Sequence, residues 1–164
     1  MSGMEVRILF VCLGNICRSP TAEGVMRHLL VSESLHERVF LDSAGTGSWH
    51  VGSVPDRRAR AEGARRGVEI SGTSRQVQAE DFDEFDLLVA MDADNAAHLR
   101  AIAPSQEAAS RVNLLRAFDP ETPHGPDVPD PYYGGEDGFA DVFDLVEVAC
   151  QGLIDELRAT HLSG

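Results

Sequence analysis

FVCLGNICRSPTAEG, from Phe10 to Gly24, carries the chain from an apolar run through a cysteine, a Gly-Asn pair, a second cysteine, an arginine and a serine into a proline. The run that feeds it, Glu5–Cys12 (EVRILFVC), is β-rich and apolar at consecutive positions, which predicts a strand buried on both faces. Ser19-Pro20 reads as N-cap and first helical residue of a helix reaching about Glu33. The stretch is therefore a loop between the C-end of a buried strand and the N-end of a helix, where open α/β sheets place their ligands.

Several chemistries do not fit that loop. A nucleotide-binding phosphate loop ends in Gly-Lys-Ser/Thr, and the chain contains no lysine. A zinc site needs about four ligands at matched spacing; Cys12 and Cys17 have no such partners, and the six histidines are scattered. A thioredoxin-like pair has two residues between its cysteines, and here there are four.

An oxyanion cradle does fit. Gly14 allows positive φ and Asn15 tolerates it, so successive N–H groups can turn toward one centre. The helix opening at Pro20 adds its positive end. Arg18 adds a planar fork that holds two phosphate oxygens together. Cys12, at the base, faces that potential, which favours the thiolate, the nucleophilic form of cysteine. Ser19 is placed to donate a hydrogen bond to it. A Cys-X5-Arg spacing arises readily by chance; its setting between strand and helix is what gives it meaning. A cysteinyl-phosphate route also needs a proton for the leaving oxygen. Asp127 and Asp130 in DVPDPYYGG offer one, and Asp130 is held extended by Pro131 and followed by Tyr132 and Tyr133. An acid among aromatic rings suits an aromatic leaving group.

Outward from the loop, strands are predicted at Val39–Ser43, Asp86–Met91 and Val112–Leu115. Helices are predicted at Asp56–Arg66, stopped by Gly67, at Asp92–Ile102, and from Phe139 to about Thr160. Strands alternate with helices, which predicts a mostly parallel sheet covered on both faces. A length of 164 residues without linker or repeat predicts a single domain, 1–164. The connection from Arg116 to Gly138, rich in proline and glycine, is too long for a simple turn.

Composition narrows the setting. A net charge of −13 argues against nucleic acid or an anionic membrane as partner. All fourteen basic residues are arginines, and five crowd between Arg57 and Arg66. No basic residue lies from Ala117 to Leu157, which predicts an acidic face. No apolar run spans a bilayer, no leader pattern opens the chain, and three cysteines make no disulfide framework, so a cytoplasmic protein is expected.

The run VCLGNICRSPTAEG, with DSAGTGSWHVG (Asp42–Gly52), AMDADN (Ala90–Asn95) and DPYYGG (Asp130–Gly135), closely resembles the low-molecular-weight protein tyrosine phosphatases over essentially the full length. The resemblance implies a three-layer α/β fold with a four-stranded parallel sheet, helices on both faces and Rossmann-like topology. It implies no metal and no organic cofactor, and phosphotyrosine proteins as partners, met as a monomer. It implies Cys12 as nucleophile, Arg18 as phosphate ligand and Asp130 as acid and then base. Leu13, Gly14, Asn15, Ile16, Cys17 and Ser19 would surround the phosphate, with Trp49, Tyr132 and Tyr133 as walls of a slot as deep as a phenyl phosphate. Asn15, Ser19 and Ser43 would hold the loop in shape. The family analogy also suggests that Cys17 pairs with Cys12 under oxidation. Where some members carry a histidine near Gly72, this chain reads EISGTSRQ, so that support is not carried over. Arsenate reductases share the fold but need further redox cysteines, and only Cys150 remains. Protein arginine phosphatases resemble GNTCRS, where this chain has Ile16. A phosphotyrosine-binding module would lack the nucleophile or the acid, and both are present.

Overall fold

The computed structural model describes residues 4–120, 127–132 and 136–162. Its centre is strand β1 (Val6–Cys12), in which every residue except Arg7 is buried, as a strand apolar on consecutive positions requires. Parallel to it run β2 (Val39–Gly45) on one side, from Val6↔Val39 to Cys12↔Gly45, and β3 (Leu87–Ala90) on the other, from Ile8↔Leu87 to Val11↔Ala90. β4 (Val112–Leu114) extends β3, giving the all-parallel order β2-β1-β3-β4.

Alternation along β1 splits the core in two. Val6, Ile8, Phe10 and Cys12 face α1 (Arg18–Ser32) and α6 (Glu136–Thr160), packing with Val25, Met26, Leu30 and Phe143. Leu9 and Val11 face the other way, toward Phe82 of α3 (Asp81–Glu84), Phe85 just after it, Leu88 of β3 and Leu99 of α4 (Ala93–Ile102). The result is three layers, helix–sheet–helix. α6 follows the predicted spacing: Val142, Phe143, Val146, Leu153, Ile154 and Leu157 are each at most 2% exposed, and each large apolar side chain so buried contributes about 1.5–3 kcal/mol.

α2 (Arg57–Arg65) ends as predicted, with Gly67 at φ 73° and Val68 N–H donating to the Gly63 carbonyl over 2.8 Å. Three short elements were not predicted: α3, α5 (Gln106–Ala109) and a 3-10 turn, Leu115–Phe118, that takes over where β4 was expected to reach Leu115. Four residues are too few to display a helical period.

From β1 the chain moves to β2 on one side, and later returns to β3 on the other. The crevice above the C-ends of β1 and β3 is thus the topological switch point of the sheet. Two connections meet there: the loop from Cys12 to Arg18, and the turn Met91–Asp92, joined by Met91 N–H donating to the Val11 carbonyl over 3.0 Å.

Candidate active site

Cys12 ends β1 with its thiol almost fully buried at the crevice floor. The Asn15 N–H donates to its Sγ over 3.2 Å, and the Ser19 hydroxyl lies 3.1 Å from it. The loop turns at Asn15, φ 58°, and not at Gly14, which has no positive φ. Asn15 holds this conformation because its buried side chain is bonded on three sides. Nδ2 donates to Ser19 Oγ (2.8 Å) and Ser43 Oγ (3.0 Å), and Oδ1 accepts from the Arg75 N–H (3.0 Å). Ser19 Oγ accepts from Asn15, so its own hydrogen goes elsewhere: to Cys12 Sγ at 3.1 Å, with the Ala44 carbonyl, 3.5 Å away, as the longer alternative. That use of the hydroxyl explains a second departure from expectation: Ser19 does not cap α1. The helix begins at Arg18 with Cys17 in the cap position and no side-chain cap bond.

Two segments buttress the loop from outside. At the end of β2, Thr46 and Gly47 N–H groups donate to the carbonyls of Cys12 (2.9 Å) and Leu13 (3.0 Å). Gly45 has no room for a side chain, since a Cβ there would stand 2.7 Å from the Leu13 carbonyl oxygen. The segment EISGTSRQ, which lacks the family histidine, supplies other support: Ser74 Oγ donates to the Gly14 carbonyl over 3.0 Å, and Arg75 gives its backbone N–H to Asn15. Sequence reasoning missed both residues, and a serine and a backbone N–H carry no signature.

Arg18 sits beside the thiol with its side chain 4% exposed. Nη1 donates to Asp92 Oδ2 (2.7 Å) and to the Val128 carbonyl (3.0 Å), while Nη2 is 3.5 Å from Asp130 Oδ2. Burial works against its charge, but Cys12, Asp92 and Asp130 outweigh that and hold the guanidinium above its ordinary pKa. Asp92 was not singled out from the sequence. It caps α4 through Oδ1, which accepts from Asn95 N–H over 2.7 Å, and fixes Arg18 through its other oxygen. An acidic N-cap directly after a buried strand, in AMDADN, was the available signal.

The structure separates the two acid candidates. Asp127 accepts from the Ala93 N–H at the start of α4 (2.9 Å), and its carbonyl accepts from Arg116 Nη1 (3.1 Å). Val128 N–H donates to the Met91 carbonyl over 2.7 Å. With Asp127 and Val128 so tied, Asp130 projects toward Arg18, its Oδ1 accepting from Tyr132 N–H (3.0 Å). Arg116 is 2% exposed, and among the described residues its Nε and Nη2 have no hydrogen-bond partner.

A cleft of about 390 Å³ opens above this floor. Leu13, Gly14, Ile16 and Cys17 line it together with Cys12 and Arg18. Trp49, 75% exposed, and Tyr132 line its sides. Tyr133 lies outside the described residues. His50, which sequence reasoning passed over, completes the wall with its ring 5.9 Å from that of Tyr132. Asn15, Ser19 and Ser43 stand behind the loop rather than in the cleft. Cys17 is buried among Ile16, Ala59 and Phe139; burial, with Asp56 close by, pushes its thiol pKa well up, so it stays neutral. All three cysteines are free thiols, and Cys150 is buried in α6, in the core against α1 and away from the cleft. Among the described residues no helix is long and apolar enough to cross a membrane.

The family model for low molecular weight phosphotyrosine protein phosphatase matches residues 7–162. A low molecular weight protein-tyrosine-phosphatase of Streptomyces coelicolor is 46% identical over 156 residues, 94% of this chain and 95% of the relative. A crystal structure of a protein tyrosine phosphatase from Entamoeba histolytica, with Hepes in the active site, superposes with a TM-score of 0.90 at 44% identity, covering 94% of this chain and 97% of the other. The crystal structure of a Drosophila arginine phosphatase superposes with a TM-score of 0.86 at 30% identity, covering 93% and 98%. With a family model spanning nearly its whole length, the chain belongs to the low molecular weight phosphotyrosine protein phosphatase family.

Proposed function

We propose that the protein hydrolyses phosphotyrosine in proteins, and other aryl phosphates, through a phosphate ester on Cys12. The observation that carries this reading is the meeting of the Cys12 thiol, the buried Arg18 fork and the Asp130 carboxyl at the floor and mouth of one cleft. The dianionic phosphate would rest on the loop N–H groups and Arg18, taking the place of the Asp130 oxygen that now faces Nη2. The Cys12 thiolate attacks phosphorus; an S–P bond forms as the P–O bond to the ring breaks, and Asp130 gives its proton to the departing phenolate. Asp130 then takes a proton from water, whose oxygen attacks phosphorus and releases inorganic phosphate. The Ser19 hydroxyl stabilises the thiolate as it leaves in this second step. Arg18, held by Asp92 and Val128, meets both transition states without reorienting, the condition under which electrostatic stabilisation is most effective.

Selectivity follows from depth and lining. With Trp49, His50 and Tyr132 as walls, a phenyl phosphate reaches Cys12, whereas phosphoserine is too short. Ile16 in the loop favours phosphotyrosine over phosphoarginine. The reading takes the chain as one catalytic domain over residues 1–164, working as a cytoplasmic monomer in signalling, with no metal, cofactor, nucleic acid or membrane required. Turnover of matched phosphotyrosine, phosphoarginine and phosphoserine peptides tests it: phosphotyrosine should be strongly preferred. Faster release from phosphoarginine would transfer the chain to the other activity known on this fold, and no release from any of them would remove the phosphatase reading.

A further inference from the structure

The peptide group between Gly14 and Asn15 is bonded at both ends. Its carbonyl oxygen accepts from Ser74 Oγ over 3.0 Å, and its N–H donates to Cys12 Sγ over 3.2 Å. In a trans peptide these two groups point in opposite directions. The bond that draws the oxygen outward is therefore the one that aims the hydrogen at the thiol. The two preceding carbonyls, of Cys12 and Leu13, are held from outside in the same way, by Thr46 and Gly47 N–H groups. Those donors are backbone groups at the end of β2 and come with the fold. The donor to Gly14 is a side chain, and it depends on residue 74 being a serine.

This peptide needs holding. Turning it over rotates ψ of Gly14 and φ of Asn15 together. Gly14 has no Cβ to resist the turn, and Asn15, at φ 58°, would leave the left-handed region. The backbone's own preference at Asn15 thus leans toward the turned-over form. In that form a carbonyl oxygen would face Cys12 in place of an N–H, and would repel an anion held there. Two adjacent residues of EISGTSRQ oppose it: Arg75 N–H holds Asn15 Oδ1 (3.0 Å), and Ser74 Oγ holds the peptide itself. Ser74 is 5% exposed and fixed by its own backbone. Its N–H donates to the Ser53 carbonyl (2.8 Å), and its carbonyl accepts from Gly52 N–H (2.9 Å). The hydroxyl is therefore delivered to Gly14 by a segment that is itself tied down.

We propose that Ser74 is a positioning residue of the reaction: by holding the Gly14 carbonyl outward, its hydroxyl keeps the Asn15 N–H turned to Cys12 and to the phosphate oxygen that comes to lie beside it. Ser74 does not line the cleft and acts through the Gly14–Asn15 peptide. The proposal rests on the phosphatase reading for the turnover it supports. The anion-holding orientation of the peptide can be measured without turnover.

Ser74→Ala removes the donor, and Ser74→Cys keeps nearly the same size with a weaker one. Inorganic phosphate is titrated into the wild type and both variants, read by calorimetry and by the Asn15 amide resonance in heteronuclear NMR. Turnover of a small aryl phosphate is measured beside it. Ser74→Ala should weaken phosphate binding by about three- to tenfold, the range that one lost neutral hydrogen bond corresponds to, and lower kcat/KM by a similar factor. Ser74→Cys should fall between it and the wild type, and carries the test if the alanine variant is too unstable to study. Phosphate should displace the Asn15 amide resonance less in both variants than in the wild type. Wild-type phosphate affinity and kcat/KM in both variants, with only the urea midpoint lowered, would make Ser74 a purely structural contact and overturn the proposal. A loss of affinity with an Asn15 resonance that still responds as in the wild type would overturn it too, since the peptide would not have turned. Phosphate binding that depends on Ser74 in a chain that hydrolyses no aryl phosphate would instead bring down the phosphatase reading, and leave the anion-holding role of Ser74 in place.

Discussion

Asn15 is the point at which loop conformation and catalytic geometry are most tightly joined, and replacing it by alanine should be costly. The residue is 3% exposed and its side chain makes three hydrogen bonds of 2.8, 3.0 and 3.0 Å, to Ser19, Ser43 and the Arg75 N–H. At a net value near 1 kcal/mol each, their loss costs about 3 kcal/mol. Alanine at φ 58° adds roughly 1 kcal/mol, because its Cβ is disfavoured in the left-handed region. The sum, about 4 kcal/mol, is a large part of the stability of a domain of this size. Asn15→Gly removes the same three bonds without the Cβ penalty and should cost about 3 kcal/mol, plus a fraction for the greater freedom of the unfolded chain. Urea denaturation followed by fluorescence and by circular dichroism measures both, provided the two probes give coincident transitions. A loss below about 1 kcal/mol for either variant would refute the claim that this side chain holds the loop in its left-handed turn.

Other outcomes follow from the same geometry. Asp130→Asn should slow hydrolysis most for basic leaving groups such as tyrosine, by about 10²–10⁴-fold, and far less for strongly acidic phenols; an equal loss across a series of substituted phenyl phosphates would exclude it as the acid. Arg116→Met, which removes the bond to the Asp127 carbonyl in the segment that carries Asp130, should reproduce a weaker version of that leaving-group dependence. A uniform loss across the same series would mean that Arg116 acts only on stability. Asp56 is held below the ordinary carboxylate pKa: burial raises it, but the bonds from the Arg58 side chain and backbone outweigh burial. A depressed carboxylate stabilises the fold fully above its unfolded value of about 3.9 and loses that contribution as pH falls through the folded value. The stability difference between wild type and Asp56→Asn should therefore be largest near neutrality and shrink below about pH 4; a constant difference would contradict the ion pair.

The parts of this site that share a local pattern were legible in the sequence. Cys12, Gly14, Asn15, Arg18 and Ser19 stand on one strand–loop–helix stretch, and consecutive apolar residues gave away the buried strand beneath them. Asp130 needed a second argument, the demand for a proton donor, and its choice over Asp127 awaited the bond from Ala93 N–H that ties Asp127 to α4. What the sequence hid was contact between distant segments. Asp92 meets Arg18 only because β3 lies beside β1, and Ser74 and Arg75 reach the loop only through the return of the chain past β2. Gly14 and Ser19 were assigned from propensity to a positive φ and a helix cap; the hydrogen bonds of Asn15 moved the turn one residue on and drew the Ser19 hydroxyl toward the thiol. The arginine cluster showed in composition, but its partners did not: Arg66 meets Asp144 and Glu147 only because α6 packs against α2.

The central claim is that phosphate passes through Cys12. Rapid acid quenching of the enzyme during turnover of an aryl phosphate, followed by peptide mass spectrometry, tests it most directly. The peptide containing Cys12 should gain the mass of one phosphoryl group, more of it in a variant at Asp130 that slows the attack of water, and Cys12→Ser should abolish both the adduct and turnover. Steady turnover with no phosphate on Cys12, or wild-type activity in Cys12→Ser, would contradict the account.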